Sequence, residues 1–169
     1  MIIRKIRMIN FRVFRDKTID FNDKTVVLLS AANGVGKTTV VDAIEWCLTG
    51  SIGRLKNAFD TRSTNDVERK MNNGGILKNC DAGKEENVRV FLWLVDDEGE
   101  KIFCREQASD ELDPKESQIT INNDEKAAKE FIQKYVGDSF YNYHFCDIQK
   151  SLNCLLYTSP SPRDVEESR

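Results

Sequence analysis

The apolar residues fall into runs of different kinds, and each kind predicts a different element. Residues 1–10 and 18–21 read as two strands, with Asn22-Asp23 turning out of the second. Residues 25–29 (Thr-Val-Val-Leu-Leu) form a short continuous β-branched run, the signature of a strand buried on both faces. Val40, Val41, Ala43, Ile44, Cys47 and Leu48 then recur at helical spacing, and Gly50 stands where a C-cap residue belongs. Residues 51–87 are polar and irregular, with Asn72-Asn73-Gly74-Gly75 an evident loop. A hairpin follows: residues 88–95 go out, 96–100 turn and 101–105 return. Residues 118–121 add a short strand ending at Asn122-Asn123, and residues 124–136 read as a helix carrying Ala127, Ala128, Phe131, Ile132 and Tyr135. An aromatic stretch, residues 140–145, leads to Asp147-Ile148-Gln149. Strands bunched at the start, one long helix and a later hairpin predict an α/β fold with a mixed sheet, without regular βαβ alternation.

Between the apolar run and the first helix lies Ser30-Ala31-Ala32-Asn33-Gly34-Val35-Gly36-Lys37-Thr38-Thr39. It reads as a phosphate-binding loop, in which backbone N–H groups cradle phosphates, the lysine reaches the β- and γ-phosphates and the hydroxyl ligates Mg²⁺. Ala31 stands where the first glycine of that pattern is expected. A small residue suffices there provided φ is negative. A strand turning sharply into a helix aims unpaired N–H groups and a positive dipole end at the loop. Gly34 and Gly36 supply φ values that a Cβ resists.

The 169 residues suit one domain with a real core, and 40% hydrophobic with 31% charged residues is ordinary for a globular chain. No run of eighteen apolar residues exists and the N-terminus lacks a signal-peptide core, which predicts a cytoplasmic, nucleoid-associated protein with no membrane partner. Five scattered cysteines without a C-x-x-C pair argue against a disulfide framework and a zinc site. Cys47 reads as a small core residue, and His144, the single histidine, as structural. Net charge is −3, yet residues 1–17 hold six basic residues against Asp16 alone. Such an edge suits either a phosphate backbone or a solvated, protected strand.

The motif order resembles the N-terminal ATPase segment of SMC-like proteins, including chromosome-structure ATPases, the ATPase subunit of the double-strand-break repair nuclease, and the RecF and RecN repair proteins. Asn10-Phe11-Arg12, Ile19-Asp20-Phe21, the phosphate loop, and Asp42-Ala43-Ile44-Glu45 carry it, most specifically over residues 1–50. The hairpin ending in Arg105 and the late Gln149 are placed similarly. The resemblance implies a P-loop NTPase, the N-terminal lobe of an ABC-type head, across residues 1–153. It implies ATP and Mg²⁺ as cofactors. Asn33, Gly34, Val35, Gly36 and Lys37 would line the phosphates, Thr38 would ligate Mg²⁺, and Thr39 would contact the α-phosphate. Arg12 would lie near the nucleotide, with the neighbouring Arg15 able to do similar work. Gln149 would reach Mg²⁺ and the attacking water, so Lys37 and Gln149 are the catalytic candidates. DNA, a second head in a homodimer and a nuclease subunit are the partners implied.

Family members also need a second half with a signature motif, an acidic Walker B strand and a catalytic carboxylate. Residues 92–99 superficially resemble such a strand but read better as a hairpin turn. No heptads begin a coiled coil. Residues 154–169, rich in Ser and Pro, read as a disordered tail or as translated adaptor sequence. Three functions compete. The first is the ATP-binding half of an ATPase that clamps DNA in repair or chromosome maintenance. The others are a stand-alone P-loop kinase or GTPase, and a non-catalytic nucleotide-binding fragment.

Overall fold

The strand that organises the molecule is β1 (Ile2–Phe11), which pairs antiparallel with β2 (Phe14–Asp20) on one side and β3 (Val88–Asp96) on the other. β4 (Gly99–Gln107) and β5 (Gln118–Ile121) complete a five-stranded antiparallel sheet in the order β2-β1-β3-β4-β5. The computed structural model of the chain describes residues 1–55, 76–111 and 116–136. All belong to one unit, Met1–Gly137. Gln149, the aromatic stretch 140–145 with His144, the loop 72–75 and the tail 154–169 lie outside the described residues.

Side chains two apart share a sheet face, and one face is consistently apolar. Ile6 and Met8 of β1, Val88, Val90, Leu92 and Leu94 of β3, Phe103 of β4, and Ile119 and Ile121 of β5 are all buried. Helix α1 (Lys37–Thr49) packs against β3, β4 and β1 on this face. Its Trp46 is fully buried with its ring 5.6 Å from that of Phe11, and the Cys47 thiol donates to the Val90 carbonyl at 3.6 Å. Helix α2 (Glu125–Tyr135) covers the far end through Ala128 and Phe131, whose ring stands edge-on to Phe103 at 4.9 Å. Asp124 caps it by accepting from the N–H groups of Lys126 and Ala127.

Most predicted elements form close to their expected limits. Gly50 is the C-cap of α1 at φ 74°, its N–H donating to Trp46 O at 2.9 Å. Asn122 and Asn123 both take positive φ, as a tight turn requires. Asp96 stands opposite Gly99 across the β3–β4 hairpin, so the acids there belong to a turn. One expectation fails: residues 25–29 form no strand. Val26 is 85% and Leu28 88% exposed, with Val27 also exposed. A run apolar on both faces needs neighbours on both edges and both faces, and among the described residues no strand pairs with it.

Two stability predictions follow from the core. Trp46→Ala removes its largest buried side chain and is expected to cost about 3–5 kcal/mol in a denaturant titration. Burial pushes the Cys47 thiol up to about 12. Its neutral form therefore favours the folded chain below pH 9, and that contribution is lost as pH rises from 9 through 12. A thiol reagent at pH 8 should modify exposed Cys80 in the native protein and Cys47 only after denaturant is added.

Candidate functional site

The predicted loop enters α1 through two glycines in left-handed conformations, Gly34 at φ 84° and Gly36 at φ 103°. Gly36 is the N-cap of α1 and offers no side-chain cap, and the first turn carries no acid. The helix dipole is thus uncompensated at the loop, which suits an anion. Ala31 takes no positive φ, as its departure from the glycine pattern demands.

The two glycines are needed for different reasons. Nothing lies within 4 Å of a Cβ placed on Gly34, so that position is glycine for its backbone angle and faces open space. A Cβ on Gly36 would lie 2.6 Å from Phe14 Cζ and 2.8 Å from Val13 Cγ2. The β1–β2 turn therefore rests directly on the end of the loop. That turn is itself fixed: Arg12, at φ 52°, donates its N–H to Leu77 O at 2.6 Å, and its carbonyl accepts from Asn79 Nδ2 at 2.6 Å.

Lys37 folds back over the loop, its ammonium donating to Ala31 O at 2.5 Å and Ala32 O at 2.7 Å. Thr38 is exposed and Thr39 buried, while Asn33, Gly34 and Val35 are exposed in the loop. The fold thus sets the loop's end at Gly36 against Val13 and Phe14 of the β1–β2 turn, while Arg12 of that turn reaches further along α1. A cavity of about 260 Å³ opens between the loop and β2, lined by Phe14, Lys17, Val35, Gly36 and Lys37 among others. Among the described residues no group of three His, Cys, Asp or Glu could cage a metal. A Mg²⁺ here would rest on the Thr38 hydroxyl and on phosphate oxygens, which agrees with its preference for phosphates and water over a protein cage.

Arg12 reaches α1: its Nη1 donates to Asp42 Oδ2 at 2.5 Å. Asp42 is 2% exposed and Arg12 24%. Removing one member of so buried a pair costs about 3–5 kcal/mol. Arg15, the other candidate, is turned elsewhere, onto Glu86 at 2.7 Å and Asn10. The basic N-terminal edge is neutralised in the same way, Arg4 by Asp23 and Glu100 and Arg7 by Asp16. These pairs hold Asp16, Asp23 and Glu86 below the usual carboxylate range, chiefly through arginine hydrogen bonds.

The sequence placed Arg105 at the end of the hairpin but not its contacts. Arg105, in β4, is buried and donates through Nε to Cys47 O at 2.9 Å and through Nη1 to Ser117 Oγ at 3.0 Å. It supports the C-terminal end of α1, where a cation is favoured. Gly50 leaves room for it, since a Cβ there would lie 3.2 Å from Arg105 Nη1. The signal was its place two residues after Phe103 on the buried face.

A glycine-cradled loop capping a helix that packs on a mixed α/β assembly defines a P-loop nucleotide-binding domain. The sequence pattern of the AAA domain matches residues 5–164, and the chain belongs to that family of ATPase domains. Over 47 residues it is 43% identical to "Uncharacterized protein 050L" of Invertebrate iridescent virus 6, covering 28% of this chain and 4% of the viral protein. The SMC head domain from Thermotoga maritima superposes on 80% of this chain and 42% of its own, at 20% identity and a TM-score of 0.47. The chain therefore spans less than half the length of either. No helix among the described residues is long and apolar enough to cross a membrane.

The contrast between the glycines is testable. Gly34→Ala should cost only backbone strain, about 1–2 kcal/mol. Gly36→Ala should cost more, because its Cβ also meets Phe14, and Phe14→Ala should recover part of that loss. Chemical denaturation of the three variants measures both effects.

Proposed function

We propose that this chain binds ATP with Mg²⁺ at residues 33–39 and forms the phosphate-loop half of a composite ATPase site. The observation that carries the reading is the loop itself: two left-handed glycines, an uncapped helix N-terminus and Lys37 held over the same space. Lys37 would neutralise charge on the β- and γ-phosphates and Thr38 would ligate Mg²⁺. Bound Mg²⁺ supplies charge neutralisation of the phosphoryl group. Thr39 and Gln149 are assigned by motif, to the α-phosphate and to the metal and attacking water. The cavity against Phe14 and Lys17 has room for the part of the nucleotide beyond the phosphates.

Catalysis needs a carboxylate that orients water or holds the metal, and among the described residues both acids of α1 are already engaged. Asp42 pairs with Arg12 and Glu45 accepts from Gly53 N–H at 2.5 Å, while Asp96 stands at the opposite end of β1, holding the Lys101 ammonium at 2.5 Å in its hairpin. The acidic partner must then come from another segment or chain. The order of N-F-R, phosphate loop and D-A-I-E motifs supports an SMC-like ATPase, working as paired heads that clamp DNA in repair or chromosome maintenance, with a nuclease subunit among its partners. A stand-alone kinase or GTPase would need its own acidic strand.

The 169-residue chain is expected to bind ATP–Mg²⁺ and to turn it over negligibly. Calorimetric titration should show binding that Lys37→Ala abolishes. No binding, or binding indifferent to Lys37, overturns the nucleotide reading, and robust turnover by this chain overturns the composite site.

A further inference from the structure

We propose that Lys17 is a second anion-binding residue of the loop's cavity, its ammonium meeting the α-phosphate of a nucleotide whose outer phosphates sit at Lys37. The inference rests on the nucleotide reading of that loop. Lys17 stands on β2, the edge strand of the sheet, opposite Met8, and Ile19 stands opposite Ile6. Residues directly opposite share a sheet face, so Lys17 lies on the side where Ile6 and Met8 are buried and α1 packs. Asp16 and Asp20, the two acids of β2, lie on the other face. A cation on the apolar side of a sheet needs a reason, and this one lines the cavity between β2 and the loop.

The other basic residues of the N-terminal edge are engaged. Arg4 is taken by Asp23 and Glu100, Arg7 by Asp16, Arg12 by Asp42 and Arg15 by Glu86, while the Lys5 ammonium lies 4.1 Å from the centre of the Trp93 ring. Lys17 makes no ion pair among the described residues. Two ammoniums, Lys17 from β2 and Lys37 from the loop, thus line one space of about 260 Å³, and no carboxylate among the described residues lines it with them. Much of the remaining wall is apolar, with Phe14, Ile19, Leu28 and Val35. Such a space suits a ligand that joins several anionic groups to a less polar body, which is the chemistry of a nucleotide. The loop N–H groups and Lys37 engage the outer phosphates, so the next charged oxygens along the ligand belong to the α-phosphate. An ammonium has three donors and no acceptor, and its bonds to ionised oxygens are its strongest. Thr39 is buried, so Lys17 supplies its contact from the open side of the cavity.

The test is calorimetric titration of the 169-residue chain with ATP–Mg²⁺ and with ADP–Mg²⁺. Lys17→Met removes the charge and keeps an unbranched stem. It should weaken both ligands by the same factor, about tenfold, as loss of one charged hydrogen bond implies. Lys17→Arg should recover most of that loss. Lys126→Met makes the same charge change at an exposed position on α2 and should leave both affinities as they are. Unchanged affinity in Lys17→Met overturns the proposal. A loss confined to ATP overturns the α-phosphate assignment, and an equal loss in Lys126→Met reduces the effect to net charge and is equally fatal. A lysine on an edge strand also discourages pairing between sheets. Were that its whole role, Lys17→Met would raise light scattering while the dispersed protein kept its affinity, and the proposal would fall. Lys37→Ala separates the two levels. If it abolishes binding while Lys17→Met leaves it intact, only the Lys17 role falls. If the wild-type chain does not bind or ignores Lys37→Ala, the nucleotide reading falls and takes this inference with it.

Discussion

The contact between the β1–β2 turn and Gly36 governs how the site is built. With Phe14 Cζ and Val13 Cγ2 both inside 3 Å of where a Cβ would stand, the loop and the sheet meet with no space between them. A left-handed φ and a missing side chain are required at the same residue, so the position admits glycine on two independent grounds. Because β1 runs from this turn into the centre of the sheet, the position of the loop is tied to the core rather than to neighbouring loops. The helix it begins is held at its other end by Arg105, which bonds the Cys47 carbonyl and fits beside Gly50. α1 is thus pinned at both ends by groups from the sheet.

Charge is arranged in two tiers. On the outer edges, arginines and carboxylates pair in largely exposed positions, where solvent screening leaves each pair little net stabilisation. These pairs keep the basic edge from presenting a field of one sign. Along α1 the pattern changes: the Arg12–Asp42 ion pair is largely buried, and Glu45 accepts from a backbone N–H. The loop itself carries no acid in the helix's first turn. A dipole end and an ammonium therefore face the same space without an opposing charge from the adjacent turn, which is the electrostatic condition for holding a polyanion.

The elements that rest on local chemistry were readable from the sequence. The loop glycines, the Gly50 cap, the Asn122-Asn123 turn and the 88–105 hairpin are each dictated by residues within a few positions of one another. Cys47 was also placed correctly, because its stripe on α1 fixes the face it shares with Val40 and Ala43. The 25–29 run was misread for a physical reason. Its composition states that it wants cover on both faces, and a pattern can state that demand without supplying the neighbours that meet it. The Arg12–Asp42 pair was unreadable because it joins residues thirty apart whose meeting depends on how the turn sits on the helix. Arg105 was hidden by the ordinary expectation that arginine lies outside.

Lys37 shows how such a loop can hold its shape and still be ready for a ligand. Its ammonium is satisfied by two backbone carbonyls of the loop, Ala31 and Ala32, so the cradle is closed on itself. Those bonds join a cation to neutral acceptors, whereas a phosphate oxygen would offer a charged one, and charge-assisted pairs are about twice as strong. The carbonyls given up would not be stranded, because Ala31 and Ala32 are exposed and water can take the place of the ammonium. The exchange is therefore downhill at the lysine, with only a small cost at the backbone it leaves. On the downstream side nothing has to move, since Gly36 is already locked against Phe14. Adjustment is confined to residues 31–35, the exposed stretch upstream of the contact that fixes the helix.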